Sequence, residues 1–193
     1  MHKLRVEMFS DGVIAVIITI LVLELHAPES ADWEALRPLL PDFLGYVLTF
    51  LYLGIYWSNH HHMLQAAEQV NGAVLWANLH LLFWLSLTPF VTRWMGDHPG
   101  ATVPVVVYGI DLLLAAVAYT ILERTLIRAQ GEGSALKMAV GEEFKGWASI
   151  GCYVAGIALA LLGFGWIGLA LYAVVAFMWL VPDRRIERAL GRK

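Results

Sequence analysis

The sequence predicts an all-α integral membrane protein with six transmembrane helices, and three observations carry that prediction. Hydrophobic residues make up 59% of the 193-residue chain and charged residues only 15%, with a mean hydropathy of +0.65. That exceeds what the core of a soluble domain requires. The apolar residues fall into six stretches, each near the ~20 helical residues that cross a hydrocarbon layer of roughly 30 Å. Charged or Pro/Gly-containing breaks separate them, and Lys and Arg concentrate on alternate breaks, as they do when successive helices cross a membrane in opposite directions.

The first stretch, Met8 to Leu25, follows Arg5 in the manner of a signal peptide. It contains Asp11, however, and runs into Glu24-Leu25-His26 instead of a small-x-small cleavage site, so it reads as a retained helix. The second to sixth stretches are Leu39 to His60, Ala73 to Met95, Val103 to Leu122, Gly146 to Phe164 and Gly165 to Val181. Gly163-Phe164-Gly165-Trp166 leaves room only for a tight hairpin between the last two. Trp33, Trp57, Trp94, Trp147, Trp166 and Trp179 lie near the expected helix ends, where indole rings favour the interface. The longest break, Glu123 to Lys145, is polar, contains Gly131 and Gly133, and is too short for a separate domain. No internal repeat supports a transporter built from two inverted halves. The chain reads as one membrane domain over residues 1–193.

An even number of spans puts both termini on one side. Lys3 and Arg5, then Arg124, Arg128, Lys137 and Lys145, then Arg184, Arg185, Arg188, Arg192 and Lys193 share that side, which leaves only Arg37 and Arg93 opposite. By the positive-inside rule the termini are cytoplasmic, which implies a multi-pass protein of the cell (inner) membrane. The first outer loop is acidic, with Glu24, Glu29, Asp32, Glu34 and Asp42.

Several functions are excluded by what the chain lacks. Cys152 is the single cysteine, so there is neither an intrachain disulfide nor a thiolate cluster. There is no nucleophile elbow, His-Glu-x-x-His, P-loop or dinucleotide fingerprint, so no enzyme and no cofactor is expected. No nucleic-acid partner is expected. His60, His61 and His62 are adjacent and point about 100° apart around a helix, which is not the spacing of a metal site. The potassium-channel filter with paired glycines around a tyrosine is also absent, so any ion selectivity must be built differently.

The polar residues inside the spans are the candidates for function. Asp11 near the start of the first helix needs a partner. Arg5 lies six residues away, off its face, and the three histidines end the second helix at the same depth, so an Asp11-to-histidine contact is expected. Val16, Thr19, Ile20 and Leu23 recur at i, i+3, i+4 and i+7, forming one stripe with a single hydroxyl. Such a stripe suits lipid contact or ordinary packing, and Thr19 can bond its own preceding turn. Turned inward by several subunits, it would instead make a narrow pore of apolar rings that gates by dewetting. Asn78 suits interhelical bonding, and Asp111 and His80 suit a buried pair or a proton relay. Gly151, Gly156, Ala155 and Ala158 read as close-packing positions.

The string Arg5-x-x-x-Phe9-Ser10-Asp11-Gly12-Val13, followed by Thr19, Leu23 and Glu24, resembles the first helix of bacterial transmembrane protein 175 channels. The resemblance continues in Trp57-x-x-His60-His61, in Asn78 through Leu87-x-Pro89-Phe90 and in the six-helix hydropathy, and so covers most of the chain. It implies a homotetramer of six-helix subunits whose first helices line a potassium-permeable pore. By position, Val16 matches the inner hydrophobic constriction, Thr19 the hydroxyl ring and Leu23 the outer apolar ring. Arg5, Phe9, Ser10 and Asp11 match the assembly motif, and His61 its second-helix partner. The family usually carries a bulkier Leu or Ile where this chain has Val16, which implies a wider inner ring. The implied partners are further copies of the chain, the lipid bilayer, and K⁺ with other monovalent cations, K⁺ passing near Thr19 and an acidic mouth beginning at Glu24.

Two other functions fit the same residues. One is a proton-coupled secondary transporter using Asp111 and His80, with Asp11 as a further candidate. The other is an assembly protein without conduction, whose Arg-rich tail binds anionic lipid.

Overall fold

A computed structural model of the chain describes residues 3–131 and 144–180. Among them are six α-helices: α1 (Lys3–Leu23), α2 (Leu40–Ala66), α3 (Gly72–Asp97), α4 (Thr102–Gln130), α5 (Phe144–Leu161) and α6 (Gly165–Leu180). A 3-10 turn at Trp33–Leu36 lies between α1 and α2. The first four are long and apolar enough to cross a membrane, and α5 and α6 are shorter apolar helices within the described residues. All six fall on the predicted stretches.

Two helices outrun their predicted ends for a shared reason. Hydropathy drops where charged or polar residues begin, but a helix persists while its inward stripe continues. On α2 the buried stripe runs past His60 through Met63 and Leu64, and on α4 it runs past Leu122 to Leu126.

The boundaries have local causes. Pro41 opens α2 where a missing N–H costs nothing. Asn71 caps α3, its side-chain oxygen accepting from the Val74 N–H at 3.0 Å. Between α5 and α6, Gly163 adopts φ +91°. Its N–H donates to the Ala160 carbonyl at 3.0 Å, and the Phe164 N–H donates to the Leu159 carbonyl at 2.9 Å. This paired arrangement ends a helix in half a turn and makes the expected tight hairpin.

α3 packs most extensively on α4, α4 on α5, and α5 on α6, while α1 lies against α2 and α3. Two cores result. One joins α1 to α4 around Ile14, Leu21, Leu53, Leu64, Leu81 and Leu122. The other joins α2 to α6 around Tyr52, Tyr108, Tyr153 and Tyr172. The second is close-packed on glycine: a Cβ at Gly109 or Gly156 would collide with the Tyr172 ring. Of the four small residues expected to pack closely on α5, only Gly156 does so within the chain, while Gly151, Ala155 and Ala158 are exposed. Phe43, Phe50, Val174 and Phe177 are exposed apolar side chains for which lipid is the favourable surrounding.

Candidate functional site along the first helix

α1 has two faces. Val6, Ser10, Ile14, Ile17 and Leu21 recur every three or four residues and are buried against the rest of the subunit. Val16, Thr19, Ile20 and Leu23 lie on the other side and are exposed, Leu23 most of all at 77%. The subunit therefore leaves the predicted stripe uncovered, and the stripe extends ~10 Å along the axis from Val16 to Leu23. The Thr19 hydroxyl donates to the Val16 carbonyl at 2.8 Å. With its hydrogen committed to its own helix, the oxygen faces away as an acceptor.

The inner half of the helix is held by antiparallel register. Each step of four residues along α1 is met by a step of four back along α2. Lys3 Nζ donates to the Gln65 carbonyl at 3.1 Å, Glu7 pairs with His61 at 3.3 Å, and Asp11 accepts from Trp57 Nε1 at 3.1 Å. Residues four apart stack on one helix face, so the three rungs form a single seam. Lys3 also donates to the Ala67 carbonyl at 3.0 Å, at the C-terminal end of α2.

The seam corrects the expected Asp11-to-histidine contact. Within the chain Asp11 pairs with Trp57, and no histidine reaches it among the described residues. His61 sits one turn nearer the helix end and therefore meets Glu7 instead. His62 Nδ1 donates to the Ser58 carbonyl of its own helix at 2.6 Å. His60 points inward, fully buried, and its Nε2 donates to Asn78 Oδ1 at 2.7 Å. Asn78 Nδ2 donates to Ser10 Oγ at 2.9 Å, and Ser10 donates to the Val6 carbonyl at 2.8 Å. One asparagine thus joins α1, α2 and α3, which is the interhelical role expected of it. Because Asn78 Oδ1 only accepts, His60 carries its hydrogen on Nε2, and His60 Nδ1 has no partner among the described residues. Of the remaining motif residues, Arg5 and Phe9 are exposed and turn away from the other helices.

The C-terminal end of α1 is held by Arg93, which in the sequence stands out only as a charge. Its Nε and Nη2 grip Asp97 at 2.9 and 2.8 Å. Its Nη1 donates to the Glu24 carbonyl at 2.5 Å and to His26 Nδ1 at 2.6 Å. A carbonyl just past a helix C-terminus lacks an intrahelical donor, so the guanidinium satisfies it while opposing the negative end of the helix dipole. The available signal was an arginine four residues before an aspartate on one helix, Arg93 and Asp97.

Asp111 and His80 do not form the expected pair. His80 is exposed and accepts from Trp84 Nε1 at 3.0 Å, whereas Asp111 is buried facing Thr88, two turns farther along α3. No group of three or more metal-ligating side chains occurs among the described residues.

Comparison with known proteins places this arrangement among relatives. A family model described as endosomal/lysosomal potassium channel TMEM175 matches residues 5–89. A potassium channel from Chryseobacterium sp. (strain P1-3) is 54% identical over 190 residues, covering 98% of each chain. Another from Streptomyces collinus is 32% identical over 126 residues, 61% of each. The crystal structure of a lysosomal potassium-selective channel TMEM175 homolog from Chamaesiphon minutus matches with a TM-score of 0.79 and 26% identity. That match spans 93% of this chain and 96% of the other.

Proposed function

This chain belongs to the TMEM175 family, and from that premise we infer that it is a potassium channel whose ion path is lined by α1. The observation that carries the assignment of the path is the uncovered face of Val16, Thr19, Ile20 and Leu23, on a helix whose opposite face is buried. Copies of the subunit arranged around an axis would close that face into rings. Val16 would form the inner constriction, Thr19 a ring of acceptor oxygens with Ile20 beside it, and Leu23 the outer apolar ring. K⁺ gives up hydration water more readily than Na⁺, so apolar rings with few oxygens penalise Na⁺ more, and the resulting preference is moderate. The acidic loop from Glu24 onward, repeated around the axis, raises the local cation concentration. Transport in this reading needs no cofactor, resident metal or catalytic residue.

The assembly is a homotetramer in this reading. Its support is a division of labour in the motif: Ser10 and Asp11 hold α1 to its own subunit, while Phe9 and Arg5 are exposed and available to a neighbouring copy. His61 reinforces the first group through Glu7. Lys3, Arg5, Arg124, Arg128 and Lys145 lie at one end of the bundle, which supports cytoplasmic termini in the cell (inner) membrane. Lys137 and the arginines of the tail lie outside the described residues. No observation favours the proton-coupled transporter, because its acid and its histidine stand apart.

Ion flux through purified protein in liposomes tests the assignment, comparing K⁺ and Na⁺ gradients. K⁺-favoured flux altered by Thr19→Ala and Leu23→Ala, with assembly intact, is the expected result. Flux indifferent to both residues would remove the path from α1, and reversal potentials that followed chloride would sink the cation reading.

A further inference from the structure

We propose that Asp111, buried between α3 and α4 and near the inner end of a string of hydroxyls that leads from the outer surface, is a proton-binding site separate from the ion path along α1. Asp111 is 4% exposed, and neither carboxyl oxygen has a hydrogen-bond partner among the described residues. Its polar neighbours are Thr88 on α3, Tyr56 on α2 and Tyr108, one turn away on α4. The Thr88 hydroxyl makes only a long contact of 3.4 Å with the Trp84 carbonyl and is the polar side chain that faces Asp111.

Among the described residues no cation compensates this acid. The titratable groups around it are Tyr52 and Tyr56 of α2, Tyr108 of α4, Tyr153 of α5 with Cys152 beside it, and Tyr172 of α6. The nearest guanidinium on α3, Arg93, is committed to Asp97, Glu24 and His26. A bare carboxylate in such surroundings is costly, whereas a proton both neutralises it and turns an acceptor-only group into a donor.

A route for that proton leads inward from the outer end of the bundle. A small pocket there is lined by Asp42, Arg93 and Thr92. Thr92 Oγ1 lies 2.8 Å from Thr49 Oγ1, and Thr49 Oγ1 lies 3.0 Å from the Tyr108 hydroxyl. Thr92 also donates to the carbonyl of Thr88, the residue beside Asp111, at 2.7 Å. The string ends at the Tyr108 hydroxyl, one turn from Asp111 on α4, and Thr92 turns its own hydrogen to a backbone carbonyl, so these hydroxyls must rotate and a water must complete the path for a proton to pass. A hydronium ion in the pocket thereby becomes water, and the carboxylate at Asp111 becomes a carboxylic acid, with one positive charge moved inward and neutralised. The corresponding inner network of His60, Asn78 and Ser10 is a separate cluster, so the site loads from outside.

Infrared difference spectroscopy on the full chain in lipid nanodiscs reads this directly. Stepping the pH is expected to reveal a carboxylic-acid carbonyl band that shifts in D2O and is missing from Asp111→Asn. Thr49→Val is expected to keep the band and slow its deuterium exchange about tenfold. Helical circular dichroism confirms that each variant is folded, and Thr19→Ala serves as a control that should leave the band unmoved. A band that survives Asp111→Asn overturns the proposal. So does a permanent carboxylate that responds to Na⁺ or K⁺ instead of pH, which would make the site a cation site. Equal exchange in Thr49→Val and wild type would overturn the outer route. Because none of these readouts is flux, the site and the ion path stand or fall independently.

Discussion

Asn78 has one amide and spends it on two neighbours, the ring of His60 and the hydroxyl of Ser10, all three buried. Asn78→Ala leaves the His60 Nε2 hydrogen without an acceptor and removes one of the two bonds of Ser10, and an unsatisfied buried polar group costs about 1–3 kcal/mol. We therefore expect a loss of about 2 kcal/mol, measured as a lower midpoint of thermal unfolding in detergent, with little rescue by the longer Asn78→Gln. In the proposed ion path Val16 acts through size alone. Val16→Leu is expected to lower total cation flux and sharpen the preference for K⁺, and Val16→Ala to do the reverse, both measured as liposome flux with reversal potentials. The stripe that includes Val16 was legible in the sequence because helical periodicity is local information. The partner of Asp11 was not, because matching the chain ends in depth left an error of one turn, and only the packed register separates Trp57 from His61.

Helices were found where hydropathy placed them, and the start of α3 where its capping residue Asn71 stands. What hydropathy missed were the last turns of α2 and α4, whose buried residues Leu64 and Leu126 continue a stripe beyond the first polar positions. The seam between α1 and α2 was also latent in the sequence, as four-residue spacings on both helices, but spacing alone does not say which rung meets which. At the outer end, Arg93 is the device that fixes α1. Arg93→Gln is expected to speed hydrogen exchange in the last turn of α1 at least several-fold while leaving α4 protected. Arg93→Lys should recover only part of the protection, because an ammonium lacks the planar fork that grips Asp97 and reaches Glu24 together. Equal protection in Arg93→Gln and wild type would show that lipid or a neighbouring copy, not Arg93, holds this end.

At the scale of the whole molecule, two cores share one subunit, and the uncovered face of α1 belongs to neither. If copies assemble around that face, Arg5→Ala should shift the native mass distribution from tetramer toward smaller species while the helical circular dichroism of the subunit persists. An unchanged tetramer would move the contact away from Arg5. The pairing of Asp111 with His80 shows why whole-molecule polar networks are hard to read from a chain: two buried-looking residues in neighbouring spans had equal claim to each other until rotation about the helix axes turned one to the tyrosines and the other outward. The seam of Lys3, Glu7 and Asp11 has a mechanical consequence. Its rungs repeat every four residues, so the helix behaves as a toothed rack: a small axial slide disengages every tooth at once, and the next engaged position lies ~6 Å away. Such a part resists gradual piston motion. Opening should therefore come from tilting about the toothed end, or as an abrupt jump between two conductance levels with few in between.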